Sequence, residues 1–448
     1  MNKLSRSQFT QVAIMLFGLF FGAGNLIFPP LLGNQAGSST WLALLSFSVT
    51  AVIFPVLGTI VVGKTEGLSK LAHRVGPTFS LLFTTAIYLS IGPGLGIPRA
   101  GAVPFEMAVA PYVPASMSLA LARFVYTLVF FSTALWISLT PNQLVKRVGK
   151  YLTPALLVMI ALMFFRIMMM PKHVASAVGS YADTPVIQGF LSGYDTMDAV
   201  AALNFGFVIS MAIRRFGVTD SKEVSRYTMK AGLIAGSVLF AVYAMLSSIG
   251  MVTSHRFAGA ENGASILTKA VHLSLGNFGL VFLAAIFTLA CLTTCVGLIT
   301  SGAEYFHLLF KGKLSYRSWV MIWSGFSFVV ANFGLNKLLA FSVPVLTMIY
   351  PVALVLIVMG SSHDLLQYTR KSYVAAASLA VFLPFVDMLK NTFNLRLPLL
   401  TSLAEKLPLT DKGLGWLVPT LLLLSVSVVV EKMFLKQTET SPVEELAN

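Results

Sequence analysis

Charged side chains are scarce in this sequence: they make up 11% of its 448 residues, while apolar side chains make up 56%. Ordinary soluble domains carry about 25% charged residues and roughly 45–50% apolar ones. So few charges cannot cover a soluble surface, and uncharged stretches succeed one another from near residue 8 to about residue 435. This excludes a soluble enzyme, a disordered scaffold and a disulfide-built secreted domain, and predicts an all-α polytopic membrane protein with the lipid bilayer as its solvent. Cysteine is nearly absent. Cys291 and Cys295 stand one helical turn apart in a single apolar segment, which offers neither a disulfide framework nor a second pair for a metal, so both read as packing residues. The histidines, from His73 to His363, are scattered rather than clustered, so no zinc or haem site and no organic cofactor are proposed. Also missing are a His-Glu-x-x-His pair, a metal-spaced aspartate cluster and a Gly-x-x-x-x-Gly-Lys loop, which argues against a membrane-embedded enzyme. The run Gly92-Pro-Gly94-Leu-Gly96 reads as an interruption with no helix start after it, not as a dinucleotide loop.

Acidic residues are the rarer sign, 17 Asp plus Glu against 31 Lys plus Arg, for a formal net charge of +14. The excess suggests nucleic acid only until the basic residues are placed. Apolar runs predict about twelve helices, near residues 8–32, 41–62, 79–98, 119–139, 151–170, 187–212, 229–250, 277–305, 316–332, 338–359, 372–390 and 413–435. Of the 31 basic residues, 20 then fall on the side of the N-terminus, among them Lys64, Arg147, Arg214, Arg215, Lys311 and Arg370. Lys and Arg are retained preferentially in the cytoplasm, so both termini are expected there and the charge reads as topology, with no nucleic-acid partner. The first segment reads as a retained helix and not a cleaved signal peptide. Residues 437–448, polar and mildly acidic, predict a disordered cytoplasmic tail. Gly63 falls in a predicted connection, where a side chain should be tolerated.

Two short patterns recur at the same offset. Gly18-Leu-Phe-Phe-Gly22 in the first helix matches Gly189-Phe-Leu-Ser-Gly193 in the sixth, and Tyr151-Leu-Thr-Pro154 in the fifth matches Phe341-Ser-Val-Pro344 in the tenth. Five helices separate each pair, which inverts the second copy relative to the first. The predicted organisation is a five-helix repeat over 8–170, an inverted repeat over 187–359 and two additional helices over 372–435.

Three stretches carry chemistry. Phe21-Gly-Ala-Gly-Asn25-Leu-Ile-Phe28-Pro29-Pro30 places small residues, an amide and a proline pair where an unbroken helix would be expected. If the helix opens around Gly22 to Gly24, the freed backbone must line a cavity, since hydrocarbon cannot satisfy it. N–H groups of the second half-helix would then face an anion, and carbonyls of the first a cation. Close packing through Gly18 and Gly22 is the plainer reading. In the sixth segment, Tyr194-Asp195-Thr196-Met197-Asp198 sets two carboxylates in or near the membrane. Either they face a cavity, to take an ammonium, a cation or a proton, or they sit at the outer interface or bridge to Arg99 or Arg166. In the eighth, Ala290-Cys-Leu-Thr293-Thr294 can turn two hydroxyls and a carbonyl toward one hard cation, although Thr often bonds its own helix.

Gly22-Ala-Gly-Asn25-Leu-Ile-Phe28-Pro29 resembles the Gly-x-Gly-Asn-x-x-Phe-Pro signature in the broken first helix of LeuT-type sodium symporters, and Ala290-x-x-Thr293-Thr294 is similar to the sodium-binding turn of their eighth helix. More closely, the stretches 21–30, 193–198, 262–267 and 342–351 resemble the bacterial branched-chain amino-acid carriers, the BrnQ or LIVCS family, over about residues 8–430. The resemblance implies a LeuT-like fold of two inverted five-helix repeats, with broken first and sixth helices and two extra helices, in the bacterial inner membrane. It implies a symporter, not an enzyme, that imports Leu, Ile and Val with Na⁺ as coupling ion by alternating access and needs no protein partner. Sodium would meet the carbonyls of Gly18, Phe21 and Ala290 and the hydroxyls of Thr293 and Thr294. The substrate carboxylate would meet the N–H groups of Ala23 and Gly24, with Asn25 near a possible second cation. The amino group and apolar side chain would lie against Tyr194, Asp195, Thr196, Asp198 and Leu298. One departure matters. The symporter pattern offers mainly hydroxyl and aromatic groups at the sixth-helix break, whereas this chain has two aspartates, so H⁺ coupling through Asp195, Asp198 or Glu304 stands as the alternative. An open channel, more remote, would need no pair of broken helices.

Overall fold

Several helix starts follow caps written in the sequence: Ser5, Ser118, Asp220, Asn262 and Ser315 each accept a hydrogen bond from a backbone N–H of the turn that follows. The computed structural model describes residues 3–140, 143–393, 395 and 398–439. In chain order its helices begin with α1 (Arg6–Phe20), α2 (Ala23–Ala36), α3 (Thr40–Ser48), α4 (Phe54–Thr65), α5 (Leu68–His73), α6 (Pro77–Leu89) and α7 (Gly96–Pro104). They continue with α8 (Leu119–Ser138), α9 (Thr153–Met168), α10 (Ser180–Asp183), α11 (Pro185–Tyr194), α12 (Asp198–Arg215) and α13 (Ser221–Val252). Last come α14 (Gly263–Leu309), α15 (Tyr316–Ala331), α16 (Leu335–Leu366), α17 (Arg370–Phe393), α18 (Pro398–Glu405) and α19 (Leu417–Glu439). Among the described residues, eight helices are long and apolar enough to cross a membrane, or up to nine if the bent pair α11 and α12 counts as one span. Val129 and Trp136 on α8 and Leu162 and Phe165 on α9 remain exposed, at 58–62% of their surface. Apolar faces of this extent are stable against hydrocarbon, not water.

The predicted first and sixth spans are broken. Between α1 and α2 only Phe21 and Gly22 leave the helix, with Gly22 extended at φ −110° and ψ −159°. The second half-helix therefore starts at Ala23, two residues earlier than the Asn25 start implied by an opening over Gly22 to Gly24. α11 and α12 meet at a 44° bend. Met197 sits in that bend at φ 62°, a left-handed conformation that a non-glycine residue adopts only where its surroundings hold it there.

Elsewhere the structure corrects local readings. Gly96 does start a helix, α7, after a wide turn at Ser90–Gly94. The eighth segment reaches from Gly263 to Leu309, well beyond 277–305, and is kinked at Gly276, where φ is 61°. Gly63 lies inside α4 rather than in a connection, and a Cβ there would stand 2.8 Å from Thr228 Cγ2, so a side chain is not accommodated. Residues 437–439 of the predicted tail are helical, as the end of α19, and the remainder of that tail lies outside the described residues.

Contacts divide the chain into two compact units, one of Met1–Leu68 with Ala86–Ser342, the other of Ser69–Thr85 with Val343–Asn448. In the first, α2 packs on α13, α11 on α3 and α12 on α4, while α14 touches α1, α2, α7 and α9. Glycines permit this closeness: Gly33 of α2 faces the Ser247 carbonyl and Gly250 of α13 faces the Pro30 carbonyl, so tightly that a Cβ on either would overlap backbone. The broken halves of the first span are thus anchored to helices that do not break. In the second unit, Arg74 Nη1 donates to the Tyr373 hydroxyl at 2.8 Å, Arg370 Nε to the Val75 carbonyl at 3.2 Å, and the Thr369 N–H to Glu431 at 3.1 Å.

Candidate substrate and ion site

The two breaks are joined by a buried polar cluster. Asn25, in the first turn of α2, accepts from the Gly22 N–H through Oδ1 at 2.8 Å, and its Nδ2 donates to Asp198 Oδ2 at 2.5 Å and to the Tyr243 hydroxyl. Tyr243, from α13, in turn donates to Asp198 Oδ2 at 3.1 Å. Asn25, Asp198 and Tyr243 are all buried. A carboxylate in such a place is stable only with donors aimed at it, and here two helices supply them. Asp198 accordingly reads first as the pin between the broken helices.

Asp195 differs. It is exposed although it stands inside the bend, whereas Tyr194 and Thr196 on either side are buried and Thr196 Oγ1 donates to the Gly193 carbonyl at 2.9 Å. Neither aspartate forms an ion pair with Arg99 among the described residues, but Arg99, on α7, is close enough to interact electrostatically with both. Arg166 is exposed near the end of α9. Gly24 completes this space: a Cβ built on it would lie 3.6 Å from each of Arg99 Nη2, Phe28 Cε2 and the Thr196 carbonyl. One α-carbon of the first break thus looks across at the backbone of the second. Leu298 is buried, its Cδ1 3.1 Å from a Cβ built on Gly96 at the start of α7.

The other face of the first break meets α14 and α9. The Gly22 N–H, which would have bonded the Gly18 carbonyl in a continuous helix, is taken by Asn25 instead. Gly18 therefore keeps a carbonyl without its i+4 donor, and Ala23 and Gly24 have N–H groups with no backbone acceptor, as at any helix start. Thr294 Oγ1 is buried without a hydrogen-bond partner and stands 3.1 Å from a Cβ built on Gly22. Thr293 Oγ1 donates back to the Ala290 carbonyl at 2.9 Å, so that carbonyl and hydroxyl lie together in the same turn. Thr153, at the start of α9, adds a further buried hydroxyl with no partner, in close contact with the α-carbon of Gly18. Buried hydroxyls are nearly always bonded. Two without a partner, those of Thr153 and Thr294, flank the first break.

Sequence reasoning named the residues of both breaks and of the eighth-helix turn, and the structure brings them around one region of the first unit. It missed Tyr243 and Thr153. Tyr243 is the lone phenol in the apolar run from Ala231 to Leu246, which is the only signal that could have singled it out. Glu304 is apart from the cluster, lining a cavity of about 280 Å³ with Met211, Arg215 and Thr300 near the C-terminal end of α12. The paired glycines also part company. Gly189 and Gly193 press on the carbonyls of Ala43 and Phe47 as helix packing requires, whereas Gly18 and Gly22 face the orphan hydroxyls.

Solved structures share this architecture. The fold is similar to that of a manganese transporter of Eremococcus coleocola, solved with an aromatic bis-isothiourea compound, at TM-score 0.52 and 14% identity over 97% of both chains. It is also similar to a nucleobase-cation-symport-1 family transporter in a closed conformation with bromovinylhydantoin bound, at TM-score 0.54 and 13% identity over 91% of this chain and 96% of that one. The fold is that of the LeuT-type membrane transporters with broken helices. The sequence narrows the class: the pattern of the family described as branched-chain amino acid transport protein matches residues 5–434, and the chain belongs to that family. It is 37% identical to the branched-chain amino acid permease BrnQ of Lactobacillus delbrueckii subsp. lactis over 96% of this chain and 98% of that protein. It is 40% identical to the branched-chain amino acid transport system 2 carrier protein of Pseudomonas aeruginosa over 98% and 99%.

Proposed function

We propose that the protein imports Leu, Ile and Val together with Na⁺ across the bacterial inner membrane by alternating access, with both termini in the cytoplasm. Family membership supports the substrate class. The observation that carries the ion is the orphaned Thr294 hydroxyl against Gly22, next to a Gly18 carbonyl relieved of its helical donor. Hard oxygen groups around a break in the backbone suit a monovalent hard cation. Na⁺ would bind the Gly18, Phe21 and Ala290 carbonyls and the Thr293 and Thr294 hydroxyls. The amino acid would lie across the gap between the breaks, its carboxylate at Ala23 and Gly24, its ammonium toward Asp195 and Thr196, its side chain toward Tyr194 and Leu298. Ion and substrate then stabilise one conformation together, and the gradient enters through that coupling.

Coupling to H⁺ is the second reading, and the exposure of Asp195 inside the bend favours it. Uptake of labelled leucine into liposomes holding the purified protein separates the two. An imposed Na⁺ gradient at equal pH should drive accumulation, and a pH gradient without Na⁺ should not. The reverse pattern would assign the coupling to a proton.

A further inference from the structure

Among the described residues, Arg99 is a charge without a hydrogen-bond or ion-pair partner, and it is only partly shielded from water. It belongs to α7, which follows the interruption at Ser90–Gly94 and whose buried Ile97, Ala100, Ala102 and Val103 fix the helix in the core. The side chain reaches the mouth of the first break, where Nη2 is 3.6 Å from a Cβ built on Gly24. Asp195 and Asp198 lie within electrostatic reach, yet neither meets it. Asp198 is already held by Asn25 and Tyr243. A guanidinium is charged at every physiological pH and presents a planar fork of donors that fits a carboxylate with two parallel bonds. A half-buried guanidinium in a membrane protein is stabilised by an anion, and on the reading that an amino acid binds between the breaks its carboxylate supplies one.

We propose that Arg99 is a substrate-binding residue whose guanidinium, together with the N–H groups of Ala23 and Gly24, grips the carboxylate of the transported amino acid. The inference rests on the reading that an amino acid binds between the breaks, and adds to it a charged side chain from a third segment of the chain. It also orders the site. Arg99 and the start of α2 meet the anionic end of a zwitterion, and water-accessible Asp195 meets the cationic end. The pinned Asp198 supplies a fixed counter-charge. A compound with leucine's side chain and ammonium but an amide in place of the carboxylate loses the charge and one of the two parallel bonds to Arg99, so the residue sets the preference for a free acid.

The test compares leucine with leucinamide on purified wild-type protein and on Arg99→Gln and Arg99→Lys, by isothermal titration at saturating Na⁺. Wild type should bind leucine at least tenfold more tightly than leucinamide. In Arg99→Gln, leucine affinity should fall tenfold or more while leucinamide affinity changes less than threefold, so the preference collapses. Arg99→Lys, which keeps the charge and loses the fork, should fall between and carries the test should Arg99→Gln fail to fold. A variant that keeps the wild-type preference, or that loses both ligands equally, overturns the proposal, because a residue that only supports the fold has no reason to distinguish an acid from its amide. Absence of leucine binding in the wild type itself would instead sink the amino-acid reading, and this proposal with it.

Discussion

Asn25 Nδ2 stands 2.5 Å from Asp198 Oδ2, so a single side-chain hydrogen bond ties the break in the first span to the break in the sixth. Because the same amide also accepts the Gly22 N–H, the bond that opens the first helix and the bond that joins the two breaks depend on one residue. The two breaks thereby share one buried side chain.

Removing that amide should be costly. Asn25→Ala leaves the Gly22 N–H without its acceptor and Asp198 Oδ2 without one of its donors, at about 1–3 kcal/mol for each buried group orphaned. Asp198→Asn retains an oxygen that can accept from both Asn25 and Tyr243. A thermal unfolding series in detergent should therefore show a clear loss for Asn25→Ala and a much smaller one for Asp198→Asn. Equal melting of Asn25→Ala and wild type would mean that the pin does not hold.

Thr294→Val keeps the shape of the side chain and deletes the hydroxyl. Losing one oxygen ligand from a dry site should weaken Na⁺ by about 1–3 kcal/mol, or roughly 5- to 150-fold. The readout is the Na⁺ concentration for half-maximal leucine uptake, compared with Thr300→Val, whose buried hydroxyl lies beside the other cavity. An unchanged Na⁺ dependence in a normally expressed Thr294→Val would remove this hydroxyl from the ion site.

Much of this site was legible in the sequence because its signals are local. Small residues and an amide in mid-membrane, Gly22 to Asn25, announce a break, and the paired hydroxyls one turn from Ala290 stand beside it in the structure. What was not legible is long-range or depends on a helix boundary. Tyr243 is separated from Asn25 by 218 positions, and although it is the lone phenol of its apolar run, that alone does not say that it turns toward a carboxylate. Arg99 was visible only as a possible bridge to the aspartates, because its position across from Gly24 depends on the wide turn at Ser90–Gly94. Gly63 was misjudged for a different reason: the apolar run stops near residue 62, but the helix continues through Lys64 to Thr65, because a basic residue in the last turn is favourable at a helix C-terminus.

That last point reverses a substitution test. Gly63→Leu should destabilise the protein, since the built Cβ already stands 2.8 Å from Thr228 Cγ2. Gly325, exposed on α15 with nothing within 4 Å of a built Cβ, should accept leucine with little change. Expression level and melting temperature of the two variants, side by side, check this directly.

Gly24 has room for one carbon and no more. Its built Cβ meets three neighbours at 3.6 Å, ordinary contact distance, so Gly24→Ala should fold and melt like the wild type. Gly24→Leu would fill the space between Arg99 and the Thr196 carbonyl and should abolish leucine binding while leaving Na⁺ binding intact. Normal leucine binding by Gly24→Leu would place the substrate elsewhere.

The central claim is that one broken helix holds the ion at the end of its first half and the amino acid at the start of its second, so their binding free energies are linked. Equilibrium leucine binding to the purified protein, titrated across Na⁺ concentrations, measures that linkage most directly. Leucine affinity should rise with Na⁺, Na⁺ affinity should rise with leucine by the same factor, and Thr294→Val should shift the leucine response to higher Na⁺. Leucine affinity that is indifferent to Na⁺ in the wild type, with Li⁺ or K⁺ serving equally well, would contradict the account.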